Sequence, residues 1–153
     1  MEPIFEQEGY ASDTFMNTSN AVKRLIREYE ERHSLIVAFD FDDTVNPSKP
    51  EYDCSYVIEL LQELSKIDTI TLICFTCRCK EEHYVEVREY LDANQIRCDY
   101  INENAPNVSF ETSRKIFYNV FLEERAGLKS AYEQLVRFLD WYYHDREEST
   151  WDI

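Results

Sequence analysis

The chain has 153 residues, the size of one domain, and its 44% apolar content is enough to form a hydrophobic core. Its net charge of −15 argues against a large nucleic-acid-binding surface, because such surfaces are basic. Only two glycines are present, which excludes the glycine-rich phosphate loop, the dinucleotide-binding fingerprint and the nucleophile-elbow serine motif.

The predicted elements alternate between helix and strand. The first half of the chain is predicted to hold an arm over residues 1–18, a helix over 21–32 capped by Ser19 and Asn20, a strand over Leu35–Asp40, a helix over about 54–66 and a strand over 69–75. The second half is predicted to hold a helix over Glu81–Ala93, a short strand near 98–101, a loop over 102–112, a strand over 116–122 and a helix from 126 to about 143. This order predicts a three-layer α/β/α Rossmann-like domain with a mostly parallel sheet and helices on both faces. We assign the domain to residues 19–144 and an acidic tail to 145–153.

The five cysteines are odd in number, and no secretory signal precedes them, so we expect reduced thiols in a cytoplasmic protein. Cys77 and Cys79 could suggest zinc, but no second Cys/His pair has zinc-like spacing. No apolar run reaches the ~18 residues that a membrane span requires, so we expect no membrane association.

The most informative stretch is residues 36–44, in which four apolar residues lead into Asp40, Asp42 and Asp43. A continuous apolar run predicts a strand buried on both faces. Carboxylates at the edge of a core are costly unless a cation, a partner or a reaction uses them. In open α/β sheets, ligands also bind at the carboxyl ends of the strands. The sequence therefore predicts a functional site here.

Polar residues also mark the other predicted strands. Thr76 follows the second strand, Lys115 precedes the last one, and the pair Glu123 and Glu124 follows it. With D-x-D-x-T at residues 40–44, this ordered set resembles the four motifs of the haloacid dehalogenase superfamily of phosphohydrolases. The resemblance covers about residues 34–140.

Four segments, residues 75–78, 101–104, 113–115 and 121–127, resemble the small, cap-free members of bacteria and their phages. In those proteins the fourth motif normally reads as two Asp followed by Arg. Glu at both positions is the one serious departure in this chain.

The resemblance implies a role for each matching residue. Asp40 would be the nucleophile and Asp42 the general acid/base, while Thr76 and Lys115 would bind the phosphoryl group. The expected Mg2+ ligands are Asp40, Asp42, Glu123 and Glu124. The expected substrate contacts are Thr44, Arg78, Arg114, Asn102 and Asn104.

The chemistry also follows from the residue types. A carboxylate can attack phosphorus and form an aspartyl-phosphate, and a second carboxylate can protonate the leaving oxygen and later activate water. Alternation along a strand end directs positions 40 and 42 to the same side. Mg2+ prefers oxygen ligands. We therefore predict a magnesium-dependent phosphomonoester hydrolase, with a small nucleotide-like phosphate or a nucleic-acid end as substrate.

The intervals between the motifs hold only loops, single helices and strands, so we expect no cap domain. An uncapped site would accept a bulky substrate, use its own loops as a lid, or borrow a neighbouring subunit in a homo-oligomer. The loops 45–53 and 102–112 are the candidates for contacting the leaving group.

Several alternatives stay open on the sequence alone. The spacing of residues 40–51 mimics a calcium loop, although Val45 stands where that loop needs glycine. Glu123 and Glu124 could be the acidic first turn of the last helix. The chain could be a non-catalytic binding or regulatory protein with a weakened metal site, or it could transfer the phosphoryl group to an acceptor other than water.

Overall fold

The computed structural model describes residues 15–108 and 110–146, an α/β fold with four helices and one four-stranded, all-parallel sheet. The predicted arm at residues 1–14 and the tail at 147–153 lie outside the described residues. The helices are α1 (Thr18–Arg32), α2 (Ser55–Ser65), α3 (Glu81–Ala93) and α4 (Leu128–Asp140), and a π-helical segment, Trp141–Asp145, follows α4. The strands are β1 (Leu35–Asp40), β2 (Ile70–Phe75), β3 (Tyr100–Ile101) and β4 (Val120–Leu122).

The strand order is β3-β2-β1-β4, so β1 lies inside the sheet and its neighbours come from distant parts of the chain. At the carboxyl end of β1, Asp40 pairs with Phe75 of β2, and Phe39 pairs with Leu122 of β4. Because all four strands are parallel, the residues that follow β1, β2 and β4 emerge at the same edge of the sheet.

Side chains of the strands alternate between two apolar clusters on opposite faces of the sheet. One face of β1 packs in a cluster to which all four helices contribute. The opposite face, represented by Ile36 and Ile73, packs with residues of the connection between β3 and β4, including Ala105, Ile116 and Phe117. No helix residue of the described chain belongs to this second cluster.

The second helical layer expected from the sequence is therefore not seen in the described residues. The chain must pass from β3 at one edge of the sheet to β4 beyond β1, and the right-handed rule for crossovers puts this connection on the face opposite α2 and α3. The described residues of this connection, 102–108 and 110–119, cross that face without a helix. Asn104 stabilises them, since its side chain donates to Thr112 Oγ1 at 2.7 Å and accepts from the Phe117 N–H at 2.8 Å.

The bounds of β1 and α3 agree with the prediction, whereas the start of α1 was predicted wrongly. Asn17, not Ser19 or Asn20, is the N-cap, and its Oδ1 accepts from the Ser19 N–H at 2.9 Å and from the Asn20 N–H at 3.3 Å. Any of these polar residues has the chemistry of a cap, so the sequence alone did not identify the right one.

Strands β3 and β4 begin later than predicted, and at the residue before each strand a side-chain oxygen takes the place of one backbone carbonyl. Asp99 Oδ2 accepts from the Leu72 N–H at 2.8 Å, just before β3. Asn119 Oδ1 accepts from the Ile36 N–H at 2.7 Å, just before β4. The chain thus stays in register through one side-chain oxygen and one backbone bond at each position, since the N–H groups of Asp99 and Asn119 donate to the Leu72 and Ile36 carbonyls at 3.0 and 2.8 Å. None of the described helices is long and apolar enough to cross a membrane.

Candidate active site

Three carboxylates meet at the carboxyl edge of the sheet. Asp40 ends β1, while Glu123 and Glu124 follow β4, and one carboxylate oxygen from each lies within 4.8 Å of the others. The register explains this meeting, since Leu122 pairs with Phe39 and the next residue of each strand is acidic. The site thus brings together two motifs that are far apart in the sequence.

Glu123 and Glu124 do not form the acidic first turn of the last helix. Helix α4 begins at Leu128, after Gly127, and has no acidic residue in its first turn. Gly127 has φ +69°, a left-handed conformation that glycine adopts readily, so the chain turns between the glutamates and the helix. This alternative interpretation of the glutamate pair was wrong.

Thr44 forms hydrogen bonds within the carboxylate cluster. Its side chain is buried, with 1% of the residue exposed, and its hydroxyl donates to Glu124 Oε2 at 2.8 Å. The same hydroxyl lies 3.4 Å from Asp40 Oδ2 and accepts from the Glu124 N–H at 3.2 Å. Thr44, predicted as a substrate contact, here engages both carboxylates and holds them together.

A tight turn after β1 buries Thr44. Asp43 has φ +65°, and its N–H donates to the Asn46 carbonyl at 2.9 Å. Asp43 Oδ1 accepts from the Ser48 N–H at 2.8 Å, and the hydrogen bonding by Ser48 lowers the pKa of Asp43. Asp43, the third carboxylate of the motif, therefore stabilises the turn.

The carboxyl groups of Asp40 and Glu124 differ in their affinity for a proton. Burial, together with the hydrogen bond and the negative charge of Glu124, raises the pKa of Asp40 to about 7. Burial also favours the protonated form of Glu124, but the hydrogen bonds from Thr44 and Asp40 outweigh it and lower the pKa of Glu124. Without a cation the pair thus holds a proton on Asp40 near neutral pH.

The donor set fits a hard divalent cation. Two oxygens on opposite sides of a Mg2+ ion lie about 4.2 Å apart, and neighbouring ligands lie roughly 3 Å apart. One oxygen from each of the three carboxylates lies within 4.8 Å of the others, which is close to the larger of these two separations. A cation would also relieve the repulsion among the three carboxylates.

Asp42 lies two residues beyond Asp40 but is held by a different partner. Arg78 donates from Nε to Asp42 Oδ2 at 3.2 Å and from Nη2 to Oδ1 at 2.9 Å. Its guanidinium carbon lies 5.1 Å from the centre of the Phe41 ring, and Nη1 donates to Glu86 Oε2 at 3.3 Å. Arg78, predicted as a substrate contact, here binds the proposed acid/base residue.

Thr76 and Asn102 connect the ends of β2 and β3. Asn102 Oδ1 accepts from the Thr76 N–H at 2.9 Å, and Asn102 Nδ2 donates to the Thr76 carbonyl at 2.8 Å. The Thr76 hydroxyl accepts from the Arg78 N–H at 3.1 Å. Asn102, predicted as a substrate contact, thus organises the rim of the site, whereas Asn104, also predicted as one, binds Thr112 and Phe117 in the connection between β3 and β4.

Arg114 and Lys115 are exposed and lie in the segment that crosses the second face of the sheet. Within residues 15–108 and 110–146, Lys115 forms no ion pair with the acidic cluster. The structure thus brings Asp40, Thr44, Glu123 and Glu124 together and joins Asp42 to Arg78, but it does not bring Lys115 to them.

Sequence reasoning missed one contributor, Glu86, which binds the far side of the Arg78 guanidinium. Glu86 is one of several acidic residues of α3, and nothing in its sequence neighbourhood distinguishes it from the others. Only the packing of α3 beside the carboxyl end of β1 identifies it.

In comparisons with protein-family models, curated proteins and solved structures, none matches this chain. The residues of the site are therefore the evidence for its chemistry. They offer a carboxylate cluster suited to a cation, a half-buried carboxyl at a strand end, and a second carboxylate oriented by an arginine.

Proposed function

We propose that the protein is a magnesium-dependent phosphomonoester hydrolase of the haloacid dehalogenase superfamily that acts through an aspartyl-phosphate. The observation that carries the proposal is the meeting of Asp40, Glu123 and Glu124 at the carboxyl edge of a parallel sheet. Open α/β sheets bind their ligands at this edge. The order of the four sequence motifs supports the same assignment.

Asp40, Glu123 and Glu124 are the residues that would hold Mg2+, and Asp42 is a further ligand expected from the resemblance. Their oxygens match the preference of this ion for carboxylates. When bound, Mg2+ supplies positive charge that favours ionised carboxylates and neutralises the phosphoryl group being transferred.

Asp40 would be the nucleophile. Its carboxylate would attack phosphorus to form an acyl-phosphate bond while the ester oxygen leaves. Water would then attack phosphorus, and the Asp40 carboxylate would be released together with inorganic phosphate. The backbone pairing of Asp40 with Phe75 supports this role, because a nucleophile at a rigid strand end is oriented in advance.

Asp42 would donate a proton to the leaving oxygen and later accept one from the attacking water. The two hydrogen bonds from Arg78 restrict the orientation of the Asp42 carboxylate. In this proposal Arg78 is a positioning residue for Asp42. Thr76 and Lys115 would bind the phosphoryl oxygens, and Lys115 would have to approach the site when substrate binds.

We further propose a small nucleotide-like phosphate or a nucleic-acid end as the substrate, and a Rossmann-like domain without a separate cap. The absence of a cap would leave the site open to a bulky leaving group, contacted by the loops 45–53 and 102–112. The five free cysteines favour a reducing, cytoplasmic location, and a homo-oligomer could complete the open side of the site.

A magnesium-dependent screen tests the proposal. The full chain is assayed against phosphate esters, nucleotides and oligonucleotides with 3′- or 5′-phosphates, in Mg2+ and in a chelator. Turnover should require Mg2+ and should be lost in Asp40→Asn, whereas the control Asp68→Asn, an exposed carboxylate just before β2 at the opposite edge of the sheet, should keep it. Substantial turnover by Asp40→Asn would exclude the aspartyl-phosphate route.

A non-catalytic binding protein is the second candidate, and one observation favours it. Both oxygens of Asp42 are engaged by Arg78, and Lys115 is exposed, so two expected catalytic residues stand apart from the acidic cluster. Calorimetry with phosphate esters separates the candidates. Binding without turnover in Mg2+ would identify the binding protein, and turnover would exclude it.

A further inference from the structure

Two exposed thiols lie on either side of Arg78. Among the five cysteines, Cys54 and Cys74 are buried and Cys98 is half-buried, whereas Cys77 and Cys79 are exposed. Both exposed cysteines belong to the connection between β2 and α3, outside any helix or strand. Their thiols are therefore accessible to small reagents in solution, and one residue separates them.

The side chain of Arg78, the residue between the two cysteines, is held by several contacts. Arg78 binds both oxygens of Asp42, at 3.2 and 2.9 Å, and also contacts Glu86 and the ring of Phe41. Its own N–H is bound to the Thr76 hydroxyl at 3.1 Å. The backbone direction at residue 78 thus decides whether the guanidinium reaches Asp42.

A disulfide between Cys77 and Cys79 would constrain that backbone directly. Disulfides need Cα atoms about 4.4–6.8 Å apart, whereas two residues of extended chain span roughly 6.6–7.2 Å. Most of the disulfide range is shorter than the extended span, so closing the ring favours a bend of the chain at Arg78, the single residue inside it. We propose that Cys77 and Cys79 form a redox modification site, and that their disulfide displaces the Arg78 side chain from Asp42.

A low-molecular-weight disulfide such as oxidised glutathione supplies the oxidising equivalents. One cysteine thiolate attacks a sulfur of oxidised glutathione, which forms a mixed disulfide and releases one glutathione thiolate. The second cysteine thiolate then attacks the protein sulfur of the mixed disulfide and releases the second glutathione. Two electrons pass from the cysteines to the glutathione disulfide, and the two thiol protons end on the two glutathione molecules.

The modification and the displacement of Arg78 do not depend on the proposed function. Only the expected effect on turnover rests on it. Oxidation would leave the Asp42 carboxylate without its bidentate partner, so the proposed acid/base residue would lose its fixed orientation.

Analysis of the disulfides tests whether Cys77 and Cys79 form a redox modification site. The full chain is equilibrated in glutathione buffers of increasing oxidised fraction, the remaining thiols are alkylated, and tryptic peptides are analysed by mass spectrometry. Trypsin cleaves after Arg78, so peptides that hold Cys77 and Cys79 should stay linked in the oxidised protein and separate on reduction. Cys77→Ser and Cys79→Ser should each give a glutathione adduct instead of the internal disulfide. Glutathione adducts alone, or disulfides only between chains, in the wild type would overturn the proposal.

Nuclear magnetic resonance tests whether the disulfide displaces Arg78 from Asp42, and it does not require turnover. The Nε–H signal of Arg78, assigned with Arg78→Lys, should be present in the reduced protein and should shift or vanish on oxidation. The double variant Cys77→Ser/Cys79→Ser should show the reduced signal in both buffers. An unchanged Arg78 signal in protein with the internal disulfide would overturn the displacement. If the protein turns over phosphate esters, oxidation should lower the wild-type rate at least about tenfold and leave the double variant unaffected.

Discussion

Asp40, which ends β1, and Glu124, which follows β4, share the hydroxyl of Thr44, which lies 3.4 Å from Asp40 Oδ2 and donates to Glu124 Oε2 at 2.8 Å. Burial and the neighbouring Glu124 carboxylate raise the pKa of Asp40 to about 7. A proton and a divalent cation therefore compete for the same oxygens, because a metal ligand must be ionised.

Magnesium affinity should accordingly rise with pH. Between pH 6 and pH 8 the ionised fraction of Asp40 increases about tenfold, so the dissociation constant for Mg2+ should fall by about that factor. Titration calorimetry in two buffers of different ionisation enthalpy would measure the constant and the proton released. The exposed control Asp68→Asn should behave like the wild type, whereas equal affinity at both pH values would contradict the assignment of Asp40 as a ligand.

The stability of the metal-free protein should also depend on pH through the protonation of Asp40. The pKa of Asp40 is about 7 in the folded state, above its ordinary value of 3.8, so the folded state binds more protons between these values. The contribution of the protonated Asp40 carboxyl group to the free energy of unfolding is therefore fully present below about pH 4 and is lost as pH rises to about 7. Denaturant titrations with a chelator would measure this loss.

Asp40→Asn isolates that contribution from those of the other carboxyl groups. Asn carries no titratable charge, so the variant should become progressively more stable than the wild type as pH rises from about 4 to 7. Millimolar Mg2+ should stabilise the wild type by mass action and reduce the difference. A difference between the two proteins that does not change with pH would refute the raised pKa of Asp40.

The Thr44 hydroxyl should matter for stability as well as for the site. Thr44→Val keeps the shape of the side chain but removes the hydroxyl that bonds Glu124 Oε2 and the Glu124 N–H, and it should cost about 1–3 kcal/mol in the free energy of unfolding. Thr44→Ser keeps the hydroxyl and should recover most of the hydrogen bonding. Urea titrations of both variants decide the matter, and equal losses would point to packing of the threonine methyl group instead.

The glutamate pair should control the dependence on Mg2+. Ala at Glu123 or Glu124 removes a ligand oxygen and should raise the Mg2+ concentration needed for half-maximal turnover at least tenfold, roughly the loss of 1.4 kcal/mol or more. Asp at both positions gives the acidic pair that is usual in the superfamily the motifs resemble, and it should change this Mg2+ concentration only modestly. Unchanged magnesium dependence in both Ala variants would remove these residues from the metal site.

The sequence determined the elements that depend on local patterns. The continuous apolar run of β1 and the helical periodicity of α3 predicted both elements with their observed bounds. The placement of Asp40 and of the glutamate pair after two strands predicted their convergence, because parallel strands end at one edge of a sheet.

Only the tertiary structure decided which side chains meet within that edge. The bond from Thr44 to Glu124 and the fork of Arg78 on Asp42 depend on turns and side-chain directions that no local pattern encodes. Just before β4, the Asn119 side-chain oxygen accepts from the Ile36 N–H, while the Asn119 N–H donates to the Ile36 carbonyl. Hydrogen bonds between distant residues form only after the sheet has brought their backbones together, so local sequence carries no signal for them.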